Sequence, residues 1–241
     1  MTDLIAGASP RFKAKIAGVC YLITIVTGIF GEVFVRGRLI VYGDAAATAT
    51  SIRAYESLFR LGFAVDLIPA YLVVTVLLYD LFKPVSRSLS LLAAFFSLVG
   101  CVIGAIIGVF QLAPVVVLSG QQYLSVFKME QLQALALMFL KLRAQGFNIC
   151  LVFFGFYCLL IGYLIFRSTF LPRIVGVLMA IAGLCYAANS FATFLAPAFA
   201  ARLVPYILAP GLLGEGSLTL WLLVKGVNIQ RWKEQASAVG D

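Results

Sequence analysis

Six apolar stretches, each long enough to cross a bilayer, constrain this chain more than any other feature. They run from about Ala14 to Val35, Ser57 to Phe82, Ser88 to Leu118, Phe147 to Phe166, Ile174 to Leu195 and Tyr206 to Val224. A span needs roughly 20 apolar residues, because the hydrocarbon layer is about 30 Å thick and a helix rises about 1.5 Å per residue. Hydrophobic residues make up 63% of the 241 and charged residues 12%, and the mean hydropathy is +1.05. Soluble domains are about half apolar and about a quarter charged. Backbone groups in hydrocarbon must bond within the protein, which leaves helices or a closed barrel. The apolar runs are continuous rather than alternating, so helices are predicted. The expected fold is all-α: one transmembrane helical domain over residues 1–241, a bundle of six spans.

The net charge of +8 fits anionic headgroups and the positive-inside bias. Nucleic-acid binding would require basic residues clustered on a soluble face, and no such cluster occurs. The start of the chain resembles a signal peptide, with Arg11, Lys13 and Lys15 before an apolar run. That run is longer than a signal core and carries Glu32 and Arg36, so a retained first helix is expected. Six spans put both termini on one side. That side holds ten Lys and Arg and the other eight. The basic segments Arg11–Lys15, Lys83–Arg87 and Arg167–Arg173 contain no acid, which favours N-in, C-in.

Histidine is absent, which removes the commonest metal ligand and general base. The cysteines, Cys20, Cys101, Cys150, Cys158 and Cys185, lie inside apolar runs without ligand spacing and read as small core residues. No metal site and no cofactor are expected. No HExxH, GxSxG or phosphate-binding glycine loop occurs. A retinal-type lysine would lie mid-span, whereas Lys225 sits at the inner edge of the sixth.

The polar residues inside the spans are the site candidates: Glu32, Arg36, Glu56, Arg60, Asp66, Asn189 and Glu215. A carboxylate at mid-membrane costs roughly 2.5–3.5 kcal/mol. Glu215 is the deepest, among Pro205, Pro210, Gly211, Gly214 and Gly216, so its helix is expected to be soft or broken there. It needs a partner, a proton or a wet cavity. Tyr21, Gly28, Glu32 and Arg36 share one stripe of the first helix; Arg53, Glu56 and Arg60 share one on the second; Gly211, Glu215 and Thr219 share one on the sixth. Gln111, Asn148, Tyr186, Ser190 and Thr193 are further polar residues toward the outer ends of their spans. This asymmetry predicts a polar vestibule open to the outside. Two readings compete: facing stripes that only lock helices together, and a ligand or proton site.

Gln121–Gln145 is amphipathic, with Leu132, Leu135, Phe139 and Leu142 on one stripe. It is predicted to be an outer interfacial helix that breaks at Gly146. Gly100, Gly104 and Gly108 form a GxxxGxxxG run that permits close helix approach, within the chain or in a homo-oligomer. Gly155 and Gly162 offer a similar surface.

Six segments stand out together: Gly31–Arg36 (GEVFVR), Tyr42–Ala49 (YGDAAATA), Ser57–Arg60 (SLFR), Gln131–Ala136 (QLQALA), Arg167–Arg173 (RSTFLPR) and Asn189–Phe191 (NSF). Together they resemble one family of bacterial integral membrane proteins, domain of unknown function 4386. The resemblance implies a polytopic helical protein of the bacterial inner membrane and carries no activity. The leading expectation is a protein that binds or transports a small molecule or ion, with membrane lipids as its surroundings. The alternatives are a nonenzymatic sensor or assembly partner, and an intramembrane acid–base enzyme using Asp66 and Glu215 as a pair sharing a proton. An enzyme is the less favoured class. The lack of a clear repeat of three spans weighs against transport.

Overall fold

The computed structural model describes residues 9–204 and 206–238, and among them all regular structure is helical. Helix α1 begins at Pro10–Ile29, widens into a π-helical segment at Phe30–Arg36 and closes with Gly37–Leu39. Helix α2 (Ala45–Ala54) starts at Asp44, whose side chain accepts the Ala47 N–H at 2.9 Å, as an N-cap should. Then follow α3 (Glu56–Asp66), α4 (Ala70–Phe82), α5 (Arg87–Val117), α6 (Met129–Arg167), α7 (Arg173–Leu195), α8 (Pro197–Leu203), α9 (Ala209–Val224) and α10 (Ile229–Ser237).

Six segments are long and apolar enough to span a membrane: Pro10–Leu39, Glu56–Phe82, Arg87–Val117, Met129–Arg167, Arg173–Leu195 and Tyr206–Val224. They carry exposed apolar side chains, such as Phe95, Val102, Ile106 and Val109 on α5. Such faces suit hydrocarbon and are a liability in water. This is a multi-pass membrane protein.

The helices break elsewhere than the sequence suggested. The Glu215 segment is unbroken: α9 runs from Ala209 through Pro210 and its glycines to Val224. Pro210 lies in the first turn, where a missing N–H costs nothing, and Gly211 and Gly214 are buried against α7. Pro205 lies outside the described residues. The second span is the interrupted one. Helix α3 ends at Asp66 and α4 starts at Ala70, after Pro69, because proline disfavours a helical residue before it. Arg53 is not on the Glu56–Arg60 helix either, since α2 ends at Ala54 and Tyr55 leaves helical geometry.

The amphipathic stretch is no separate helix. Met129–Arg167 is one helix of 39 residues, about 58 Å long at 1.5 Å per residue. Gly146 does not break it; a Cβ there would collide with Ile107. The glycine therefore serves close packing against α5 instead of a stop.

The chain forms two compact units. One comprises the described residues of Met1–Ile23, Pro69–Cys101 and Asn148–Asp241; the other is Thr24–Ile68 with Val102–Phe147. In the first, Gly155 and Gly162 of α6 meet Gly183 and Gly176 of α7. A Cβ on Gly162 would stand 2.7 Å from both Ala180 N and Gly176 O, so backbone touches backbone, as small residues allow in membranes. The second unit has its own core, in which Val35, Phe59, Val115 and Leu140 are buried together. Of the GxxxGxxxG run, Gly108 packs on Phe63, while Gly104 has nothing within 4 Å.

Candidate functional site

Among the described residues, two polar clusters around buried charges lie within the helices, one in each unit. The first forms around Arg36, which is 4% exposed. Its Nη1 donates to Asp66 Oδ2 at 2.6 Å and to Gln111 Oε1 at 2.8 Å, and its Nη2 lies 3.0 Å from Glu32 Oε1. Arg143 Nη2 donates to the same Glu32 oxygen at 3.0 Å.

The backbone makes room for this cluster. A Cβ on Gly31 would stand 2.7 Å from Arg36 Nη2 and 2.8 Å from Asp66 Oδ1. Gly62 likewise lets α3 approach Val35. The π-helical turn holds Glu32 and Arg36 together, with Gly37 N–H donating to Glu32 O. Asp66 sits where α3 ends. π-Bulges and interrupted spans are both common at functional positions. Two arginines face two carboxylates, so the cluster is charge-balanced. Arg36 Nε and Gln111 Nε2 are buried donors without a partner among the described residues.

Glu56 and Arg60 lie outside this cluster. Arg60 Nε donates to Glu56 Oε1 at 2.7 Å, but the side chains are 57% and 48% exposed. They form a surface i,i+4 pair, worth about 0.3–0.5 kcal/mol.

The second cluster surrounds Glu215. Tyr186 on α7 donates its phenolic hydrogen to Glu215 Oε1, and the Tyr21 hydroxyl lies near the same carboxylate. Tyr71 donates to Tyr21 at 3.4 Å. Rings pack edge-on or tilted around these hydroxyls: Tyr21 and Tyr71 at 5.4 Å, Tyr71 and Tyr157 at 5.8 Å, Phe154 and Tyr186 at 5.6 Å. The Tyr157 hydroxyl is buried beside Tyr71 without a hydrogen bond of good geometry among the described residues. One turn beyond Tyr186, Asn189 Nδ2 donates to Asn148 Oδ1 at 3.4 Å, and Asn189 Oδ1 has no hydrogen-bond partner among the described residues.

The partners of Glu215 differ from those of the other acids in the spans. Glu32 has Arg36 and Arg143, Asp66 has Arg36, Glu56 has Arg60, and Asp80 has Lys13 at 2.7 Å and Lys83 at 3.2 Å. Glu130 is exposed in the first turn of α6. Glu215 has only phenols; no Lys or Arg among the described residues forms an ion pair with it.

Of the sequence candidates, the structure thus gathers Glu32, Arg36 and Asp66, holds Glu56 and Arg60 apart as a surface pair, and puts Asn189 on the helix of Tyr186. Asp66 and Glu215 belong to different units and have different hydrogen-bond partners. Sequence reasoning left Arg143, Gln111, Tyr21, Tyr71, Tyr157 and Tyr186 off the site. Gln111, Tyr21 and Tyr186 did stand out as polar residues within spans. Arg143 was hidden because it falls in the Gln121–Gln145 stretch, which was expected to lie in the interface.

No curated protein and no solved structure matches the chain. Residues 16–226 match the family described as Domain of unknown function (DUF4386). That match covers most of the six-span bundle, and the chain belongs to this family.

Proposed function

We propose that this is a multi-pass protein of the bacterial inner membrane, with both termini inside, that binds a small cation at Glu215 as a step in transport or sensing. The observation that carries the reading is the missing counter-charge. Four carboxylates of the spans come with a basic side chain, and Glu215 comes with phenols. An ionised carboxylate out of water needs compensation. Aromatic faces attract cations as well, worth about 0.5–2 kcal/mol each depending on desolvation. A carboxylate ringed by Tyr21, Tyr71, Tyr157, Phe154 and Tyr186 suits a proton, a metal cation or an organic ammonium.

The structural reading fits the Arg36 cluster better. Each of its four charges has an opposite partner, so that cluster acts as a lock between helices, and a lock needs no ligand.

The test is a thermal-stability titration of wild type and Glu215→Gln in detergent with protons, sodium, potassium and tetramethylammonium. A ligand at 100 times its Kd stabilises by about 2.7 kcal/mol. Wild type is expected to respond to one of these cations, and Glu215→Gln to fold without that response. A response preserved in the Gln variant removes Glu215 from the centre of the function.

A further inference from the structure

A cavity of 440 Å³ opens at the far end of α9, within the first unit, away from the Glu215 cluster. Its lining includes Arg11, Lys225, Phe170, Trp221, Gly226 and Gln230. No described acidic residue lines it, and neither Arg11 nor Lys225 has an ion pair among the described residues. Nearby Lys13 and Lys83 behave differently, since both are neutralised by Asp80.

Two local features shape the cavity. Gly226 adopts φ +66°, a left-handed turn that glycine makes without strain, and it ends α9 just past Lys225. A Cβ there would stand 3.0 Å from Arg11 Cγ, so the Arg11 stem lies across the turn. The chain then enters α10, capped by Asn228, which accepts Arg231 N–H at 3.1 Å. Trp232 anchors α10 by donating its Nε1 hydrogen to Leu81 O at 2.9 Å. Tryptophans mark the headgroup level of a bilayer, and Trp221 lines the cavity itself.

We propose that this cavity binds the phosphate of an anionic phospholipid, with Arg11 and Lys225 as its cationic contacts. Its size is within the range of small-ligand sites, roughly 300–1,000 Å³. Basic pockets beside transmembrane helices suit such headgroups. The apolar part of the lining, Phe170 and Trp221, favours a lipid over free phosphate, because the glycerol and the start of the acyl chains need an apolar wall.

Binding to the purified full chain in a zwitterionic detergent is measured with short-chain phosphatidylglycerol, with phosphatidylcholine and with inorganic phosphate. Saturable binding of phosphatidylglycerol is expected, well above the other two. In Arg11→Gln/Lys225→Gln it should weaken roughly 30-fold, the effect of about two lost surface charges. Lys233→Gln, a basic residue of α10 outside the lining, should leave it unchanged. Should the double variant not fold, Gln230→Glu keeps both cations and introduces a negative charge into the lining; it should weaken binding as well. The proposal is overturned by undiminished binding in the double variant or in Gln230→Glu. An equal loss in Lys233→Gln would show diffuse surface charge instead, and inorganic phosphate binding as tightly as the lipid would show a site for the free ion.

Discussion

Tyr186 on α7 donates its hydroxyl hydrogen to Glu215 on α9, and Gly211, one turn before Glu215, is what admits the ring. A Cβ on Gly211 would overlap the Tyr186 hydroxyl. The bond thus depends on the room that this glycine leaves for the ring. Tyr186→Phe removes one donor from a carboxylate in an apolar setting, for which the expected cost is about 1–3 kcal/mol. Gly211→Ala should reproduce that loss by displacing the ring, and combining the two should cost less than the sum of the singles. Unfolding in detergent measures all three. Strict additivity would show that Gly211 and Tyr186 act independently.

Arg36 is the keystone of the other cluster. Arg36→Met strands Asp66 and leaves Glu32 with Arg143 alone, and breaking a buried pair costs about 3–5 kcal/mol. Glu32 is 44% and Asp66 28% exposed, so solvent screening places the expected loss at the lower end, about 3 kcal/mol. Arg36→Met with Asp66→Leu should regain part of it. The surface pair makes the contrast: Arg60→Ala should change stability by about 0.5 kcal/mol or less. Equal losses from Arg36 and Arg60 would contradict this division between buried lock and surface pair.

The glycines divide in the same way. Gly162→Ala puts a methyl within 2.7 Å of two backbone atoms that cannot rotate away, and overpacking of this kind costs about 1–3 kcal/mol. Gly104→Ala meets nothing within 4 Å and should stabilise α5 by up to about 1 kcal/mol through helix propensity. If Gly104→Ala destabilised the protein instead, that face would be occupied in the membrane, and cross-linking would then look for a second copy there.

Orientation is tested by labelling. In a background without the native cysteines, a cysteine at Ser125 should react with an impermeant maleimide from outside, and one at Ser86 only after the inner face is opened. The reverse pattern would overturn the N-in, C-in assignment and the outward vestibule.

The apolar runs alone specify six helical spans, because a bilayer offers unpaired backbone groups no partner and short-range hydropathy then decides the class. The same runs expose every intramembrane charge as a candidate, since each is costly wherever it sits. Continuity and pairing were decided by tertiary packing. Gly146 and the Pro210–Gly216 segment look like breaks locally. Yet Ile107 presses on Gly146, Tyr186 on Gly211 and Leu178 on Gly214, so each of these glycines is a contact within a whole helix. The break falls at Pro69 instead, and the widened turn at Phe30–Arg36. Partner choice was equally nonlocal. Arg143 is 111 residues from Glu32, and Gln111 is 75 from Arg36. Helical spacing relates residues on one helix and is silent about the face a second helix presents, so the tyrosines around Glu215, and the lack of a basic residue there, emerge only once the helices are packed.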